Sequence, residues 1–256
     1  MNGPLLTSEE REAINAGRWF SSLSPCLRHD ILRFANVEHY EDGAPIAERG
    51  TAPEQWMACA SGAARVCSTS AAGKQVTLSY VEPGVWFGDV AIFDGNRRTH
   101  DVYAHGRCTL LCVENSDFRK ILEAHPELYA AMLRLQARRI RILFEMVEDL
   151  HTLPLHARLA KQLINLARSH GVPSVCPDSD IRIRLCLAQE ELAHLVSSSR
   201  QRINIELKKM ERRNWIRMEQ GSIVVQNRRA LTRSIEDAAS GVRGLSAALD
   251  RVAGAP

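Results

Sequence analysis

Between Pro126 and Pro154 the chain has no Gly or Pro, and Leu128, Met132, Leu135, Ile142, Met146 and Leu153 recur near heptad spacing. This spacing predicts one long helix over 127–153. A second apolar set, Leu133, Ala137, Ile140, Phe144 and Val147, falls on a neighbouring face. One face would pack on the preceding unit and the other on a partner helix, so a homodimer is expected. A helix buried on two sides within a single chain would show the same pattern.

Upstream the period changes. From Glu41 to Glu114 short runs alternate with period two, as in 63–67, 75–80 and 109–113, and they are cut by Gly43, Gly50, Gly62, Gly73, Gly84, Gly88 and Gly95. This predicts an all-β unit closed into a compact roll or barrel. Residues 8–40 read as short helices: Thr7 and Glu10 have capping-box spacing, and Ile31, Phe34 and Val37 recur at helical intervals.

Downstream, Pro154 ends the long helix and an amphipathic helix is predicted over 155–169, followed by a polar loop with Gly171, Pro173 and Pro177. Residues 187–213 have the layout of two helices joined by a tight polar turn. Leu192, Leu195 and Val196 form the inner face of the first, and Ile203, Leu207 and Met210 that of the second. Ala193 is small enough for a close crossing, and Ser199 is a natural N-cap. Residues 215–218, 219–222 and 223–225 then read as strand, turn and strand. The tail from Ala238 is Ala/Gly-rich and reads as a loose or disordered helix. The resulting division is 1–126 for the N-terminal helices and β-unit, 127–153 for the long helix, 154–230 for the two-helix unit with its hairpin, and 231–256 for the tail.

Charge sharpens this picture. Residues 1–154 carry sixteen basic and twenty acidic side chains, a net of −4, whereas residues 155–230 carry fourteen basic and seven acidic, a net of +7. A polyanion is the natural partner of the second segment, although a solvated basic surface has the same composition. The seven cysteines are scattered without a CxxC pair, which fits reduced thiols. No basic-then-apolar leader and no run of eighteen apolar residues occur, so a cytoplasmic location without membrane contact is expected. The absence of a nucleophile motif, Walker loop, dinucleotide fingerprint or zinc-ligand spacing leaves an enzymatic reading with only loose acid–His pairs such as Asp89 and His100.

The basic segment names its own chemistry. Starting from Ser199, the second helix would present Arg200, Gln201, Asn204 and Ile205 outward from its first turns, where a helix seated in the major groove meets base edges. A guanidinium bridges guanine O6 and N7, and a carboxamide pairs with adenine N6 and N7. Ser199, Arg202, Lys208, Lys209, Arg212, Arg213 and Arg217 surround these positions as candidate phosphate contacts. Two amphipathic helices also occur in ordinary bundles, and the hairpin together with the charge argues against that.

The run Pro83-Gly84-Val85-Trp86-Phe87-Gly88-Asp89-Val90-Ala91-Ile92-Phe93, with Gly43, Gly50, Arg98-Thr99, the long helix and Leu187 to Val225, resembles the Crp/Fnr family of transcription regulators from about Phe20 to Arg228. The resemblance implies an α+β fold: an N-terminal double-stranded, jelly-roll-like β-roll, a long dimerisation helix and a C-terminal winged helix-turn-helix. It also implies double-stranded DNA and RNA polymerase as partners, a cyclic nucleotide as effector, and neither covalent cofactor, metal nor enzymatic activity. In the family a Gly-Glu and Arg-Ser/Thr-Ala cassette holds the nucleotide. Gly88 and Arg98-Thr99 match it, but Asp89 replaces Glu, the connection is one residue shorter and His100 replaces Ala.

Leu143 and Phe144 align where cyclic-AMP responders place hydroxyls against adenine. Each polar partner lost there costs about 1–3 kcal/mol. Cyclic di-GMP is therefore favoured over cyclic AMP, with Arg97, Arg98, Arg138, Arg139 and Arg141 available for two phosphates. The alternatives are a degenerate effector site on a constitutive DNA binder, or a cyclic-nucleotide-binding subunit that does not act on DNA. Arg200 matches the family's first readout arginine, while Gln201 and Ile205 replace a Glu and an Arg, implying a different half-site. Only Cys26 lies near the N-terminus, which disfavours an iron–sulfur cluster. Cys108 and Cys112 would share one strand face as small buried hydrophobes, and His39, His100 and His105 read as structural or exposed. Effector binding is expected to shift a hinge around Leu150 to Pro154.

Overall fold

The computed structural model describes residues 6–70, 73, 75–174, 180–219 and 221–253, with 241–253 as backbone only. Cys176, Pro177, Gln220 and the end of the tail therefore lie outside the described residues. The chain divides into two compact units, Met1–Arg139 and Ile140–Pro256, so the division falls inside the long helix rather than at its ends.

The first unit begins with α1 (Ser8–Ala16), held by the expected capping box: the Thr7 hydroxyl accepts the Glu10 amide at 3.2 Å and the Glu10 carboxylate accepts the Thr7 amide at 2.8 Å. A single 3-10 turn, Phe20–Ser22, precedes α2 (Pro25–Phe34), which Ser24 caps with Pro25 in the first turn. The chain then departs from the sequence expectation, because Ala35–Tyr40 is a strand, β1, and not helix. Val37 stands at helical spacing from Phe34, but it is equally an alternate residue of a strand. Pairing of β1 along the end of β6 (Asp101–Glu114) decides between the two periods.

The remaining strands are β2 (Pro45–Ala47), β3 (Gln55–Thr69), β4 (Gln75–Val81) and β5 (Trp86–Phe87), with the short helix α3 (Asp89–Asp94) between β5 and β6. All pairings are antiparallel in the order β1-β6-β3-β4, β2 lying on β6 and β5 on β3. Period-two alternation gives the sheet two apolar faces. Trp56, Ala58, Leu111 and Val113 pack with α1, α2, α4 (Asn115–Ala124) and the first turns of α5 (Glu127–Thr152). Met57, Cys59, Cys108, Leu110 and Cys112 form the core on the other face, and burial pushes the Cys112 thiol up. The helical face is centred on aromatics, with Trp56 and Trp86 ring centroids 4.1 Å apart and the Trp19 indole donating to the Ala131 carbonyl at 3.1 Å. Each fully buried Leu, Ile or Phe here contributes about 1.5–3 kcal/mol over its exposed state.

On α5, Leu128, Ala131 and Met132 are buried in that core. Further along the helix Leu133, Ile140, Phe144 and Val147 of one apolar set and Ile142 and Met146 of the other are exposed.

The second unit holds the end of α5, then α6 (Leu155–His170), β7 (Gly171–Pro173), β8 (Ile181–Ile183), α7 (Gln189–Leu195), α8 (Arg200–Arg212), β9 (Ile216–Glu219), β10 (Ser222–Val225) and α9 (Arg228–Ala253). The expected hairpin β9–β10 is half of a sheet ordered β7-β8-β10-β9, and Gly171–Pro173, expected as loop, forms the edge strand opposite β9. From Arg228 to Ala253 the chain is one helix, packed on α6, with Leu231 fully buried. No helix among the described residues is long and apolar enough to cross a membrane.

Candidate DNA interface and effector cassette

In the second unit Leu192, Ala193 and Val196 are buried together with Ile203, Leu207 and Met210, and Leu195 is half-buried. The turn between α7 and α8 is tight: the Ser197 amide donates to the His194 carbonyl at 3.1 Å and the Ser198 amide to the Ala193 carbonyl at 2.8 Å. Ser197 takes a left-handed φ of 51° there. Ser199 follows as the N-cap, its hydroxyl accepting the Arg202 amide at 3.4 Å.

Burying residues 203, 207 and 210 rotates the opposite side of α8 outward. Arg200, Gln201, Arg202, Ile205, Lys208, Lys209, Arg212 and Arg213 are all exposed, and Asn204 is half-buried. Ser199, Arg200, Gln201 and Asn204 line an open concavity of about 450 Å³ together with Gln189. Gln189 was not singled out by sequence reasoning; its only signal is its place as the first residue of α7.

The cations around this surface are not equivalent. Among the described residues Arg200, Arg202, Lys208 and Arg212 form no ion pair. Lys209 meets Glu206 at 2.8 Å, and Arg213 lies 5.1 Å from the Trp215 ring centroid. Arg217 is held by Glu219 at 2.9 Å and Asp180 at 3.5 Å, so part of its charge is already matched within the protein.

In the first unit Gly88 precedes α3 with φ +86°, and an added Cβ would lie 3.2 Å from the Gln55 carbonyl oxygen and 3.3 Å from Arg98 Nη1. Glycine is needed for both the left-handed turn and this close approach. Arg98 is half-buried and donates from Nη2 to the Gln55 carbonyl at 3.1 Å; burial lowers its pKa, opposed by the nearby Glu54. Arg97 donates to the Gly50 carbonyl at 2.7 Å, the Thr99 hydroxyl and His100 Nδ1 are 2.8 Å apart, and Arg138 is exposed.

Asp89 is paired with another residue of the expected effector set. It is fully buried, and its carboxylate receives Arg139 Nη1 at 2.8 and 3.0 Å and the Gln136 amide, while Arg139 Nη2 donates to the Trp86 carbonyl at 2.5 Å. Two expected effector residues thus satisfy one another, because a buried carboxylate needs a charged partner. Gln136 was missed by the sequence reading; its signal is its place one turn before Arg139 on the same helix. Arg141, Leu143 and Phe144 are exposed on the part of α5 that belongs to the second unit.

Two protein families match the two parts of the chain. The cyclic nucleotide-binding domain family matches residues 37–125 and the Crp-like helix-turn-helix domain family matches residues 157–234, together more than half of the chain. The CRP-like cAMP-activated global transcriptional regulator of Mycobacterium tuberculosis is 28% identical over 214 residues, covering 84% of this chain and 94% of that regulator. A CRP/FNR-family transcriptional regulator of Thermus thermophilus superposes with TM-score 0.65 at 22% identity, over 78% of this chain and 98% of that one. The c-di-GMP-responsive global regulator CLP of Xanthomonas campestris gives TM-score 0.65 at 17% identity, over 79% and 99%. The chain therefore belongs to the Crp/Fnr family of transcription regulators, with a cyclic nucleotide-binding domain ahead of a Crp-like helix-turn-helix.

Proposed function

We propose that this protein is a homodimeric, sequence-specific DNA-binding regulator that reads bases with Arg200, Gln201, Asn204 and Ile205 from the first turns of α8. Ser199, Arg202, Lys208, Lys209, Arg212 and Arg213 hold phosphates, and Arg217 contributes less because Glu219 and Asp180 share its charge. The observation that carries this reading is the exposure of the Arg200–Gln201–Ile205 side of a capped helix whose opposite side is the core of its own unit. Residues 1–126 form the sensing part, 127–153 the dimerisation helix and 154–230 the DNA-binding part. RNA polymerase is the partner on which the bound dimer acts.

The effector is a cyclic nucleotide at Gly88 and Arg97–Thr99, where Arg98 points a half-buried guanidinium with one backbone acceptor. Cyclic di-GMP is favoured over cyclic AMP, the activator named for the M. tuberculosis relative, because Leu143 and Phe144 offer a purine no hydroxyl and the arginines suit a second phosphate. Arg139 joins that set only if it leaves Asp89.

That pair favours a second reading, in which the cassette is closed by its own side chains and DNA binding needs no effector. Duplexes selected from a random pool by the full chain, titrated by anisotropy with and without cyclic AMP, cyclic GMP and cyclic di-GMP, separate the two. Tightening by cyclic di-GMP supports the first reading and equal affinity throughout supports the second. No duplex binding at low ionic strength sinks both.

A further inference from the structure

Arg158 stands in the first turn of α6, where its amide donates to the Pro154 carbonyl at 3.1 Å. Its neighbours Ala157, Leu159 and Ala160 are fully buried, which fixes this turn in the core of the second unit. From there the guanidinium reaches in two directions. Nη1 donates to the Leu153 carbonyl at 2.8 Å and to the Leu150 carbonyl at 3.5 Å, at the end of α5. Nε donates to the carbonyl of Val196, the residue that closes α7, at 3.3 Å.

One side chain thus serves the carbonyl ends of two helices. The last carbonyls of a helix lack intrahelical partners and carry the negative end of its dipole, so a cation with several directed N–H groups is suited to both at once. All hydrogen bonds of this guanidinium among the described residues go to backbone carbonyls, so it reads backbone position and not a side chain. Lys161, one turn further along α6, meets Asp149 of α5 at 2.5 Å but makes no corresponding contact with the α7–α8 turn among the described residues. The Val196 carbonyl is followed at once by left-handed Ser197 and, two residues later, by the N-cap of α8.

We infer that Arg158 is the positioning residue that ties the recognition helix to the end of the long helix, setting sequence specificity without touching DNA. This rests on the reading of α8 as the DNA-contacting helix. A shift of the Leu150–Leu153 carbonyls is passed through a planar, rigid guanidinium to the Val196 carbonyl, and from there to the first turn of α8. Lysine at this position keeps the charge but presents a single point donor and cannot hold both helix ends in fixed relation.

The test uses full-length protein with Arg158→Gln, Arg158→Lys and Lys161→Gln. Affinity is measured for a duplex selected by the wild type and for a random duplex. Arg158→Gln is expected to lower the ratio of the two by about tenfold, with random-duplex binding kept, because the phosphate-contacting cations remain. Arg158→Lys recovers part of this ratio, and Lys161→Gln leaves it unchanged. Hydrogen exchange without DNA supplies an independent readout: in Arg158→Gln the Ser197 and Ser198 amides exchange faster while those of Leu207 and Met210 keep their protection. The inference is overturned if Arg158→Gln alters neither exchange nor ratio, or if Lys161→Gln lowers the ratio as far. Failure of the wild type to prefer any duplex, with the exchange result as expected, would remove the DNA reading and leave Arg158 as the tie between the two helix ends.

Discussion

Arg200 leaves α8 one residue after its N-cap, whereas Lys209 leaves the same helix two turns later with Glu206 beside it. A bidentate base contact is lost only on the right sequence, and a phosphate contact is lost on every sequence. Arg200→Ala is therefore expected to cost about 1–3 kcal/mol on the selected duplex and to relax specificity, and Lys209→Ala to weaken all duplexes alike while lowering the salt slope by about one. Anisotropy titrations across salt concentrations check this, and equal loss on both duplexes for Arg200→Ala removes its assignment to base readout. Glu10 is a second residue whose surroundings fix its role. Burial pushes its carboxylate up, but the Thr7 amide and the Thr109, Ser61 and Thr7 side chains outweigh this and hold it down at about 2. A depressed folded value stabilises the fold above the ordinary carboxylate range near 4.5, and that contribution is lost as pH falls from there toward 2. Glu10→Gln should thus lower the melting temperature at pH 7 and converge on the wild type as the pH approaches 2, as thermal melts would register. The capping role of Glu10 was legible from its spacing to Thr7, but the Ser61 hydroxyl that donates to it at 2.8 Å is 51 residues away in sequence.

Helix α5 is buried at its start, and beyond its first turns Leu133, Ile140, Leu143, Phe144 and Val147 present exposed apolar side chains that nothing in the single chain covers among the described residues. Ile140→Asp would place a charge in the middle of a two-helix seam and is expected to shift the protein to monomer in sedimentation velocity while leaving the β-unit folded. A variant that stays dimeric would move the dimer interface elsewhere. The Asp89–Arg139 pair joins α3 to α5, and removing only the cation leaves a fully buried carboxylate with the Gln136 amide and no counter-charge. Arg139→Met should cost about 3–5 kcal/mol, and much less when combined with Asp89→Asn, as denaturant unfolding of the single and double variants would measure. Periodicity gave these helices their limits because a continuous apolar stripe specifies a helix by itself. It misassigned Ala35–Tyr40, where six residues fit both periods and hydrogen bonding to β6 settles the outcome.

The charge of the whole molecule is divided between a net −4 over residues 1–154 and a net +7 over residues 155–230. This division makes attraction to duplexes a property of the second segment, and its affinity for any duplex should fall steeply as salt rises. The order of roll, long helix and helix-turn-helix was determined by the sequence alone, as were helix α8 and the residues it turns outward. Each of these follows from local spacing, capping and composition, which act between residues a few positions apart. Only the tertiary structure decided that Asp89 faces Arg139, that Arg217 is shared with Asp180 and Glu219, and that Arg158 spans two helix ends. Such choices depend on which charges and unpaired carbonyls the folded chain brings within hydrogen-bonding distance, and no periodicity along the sequence encodes that distance.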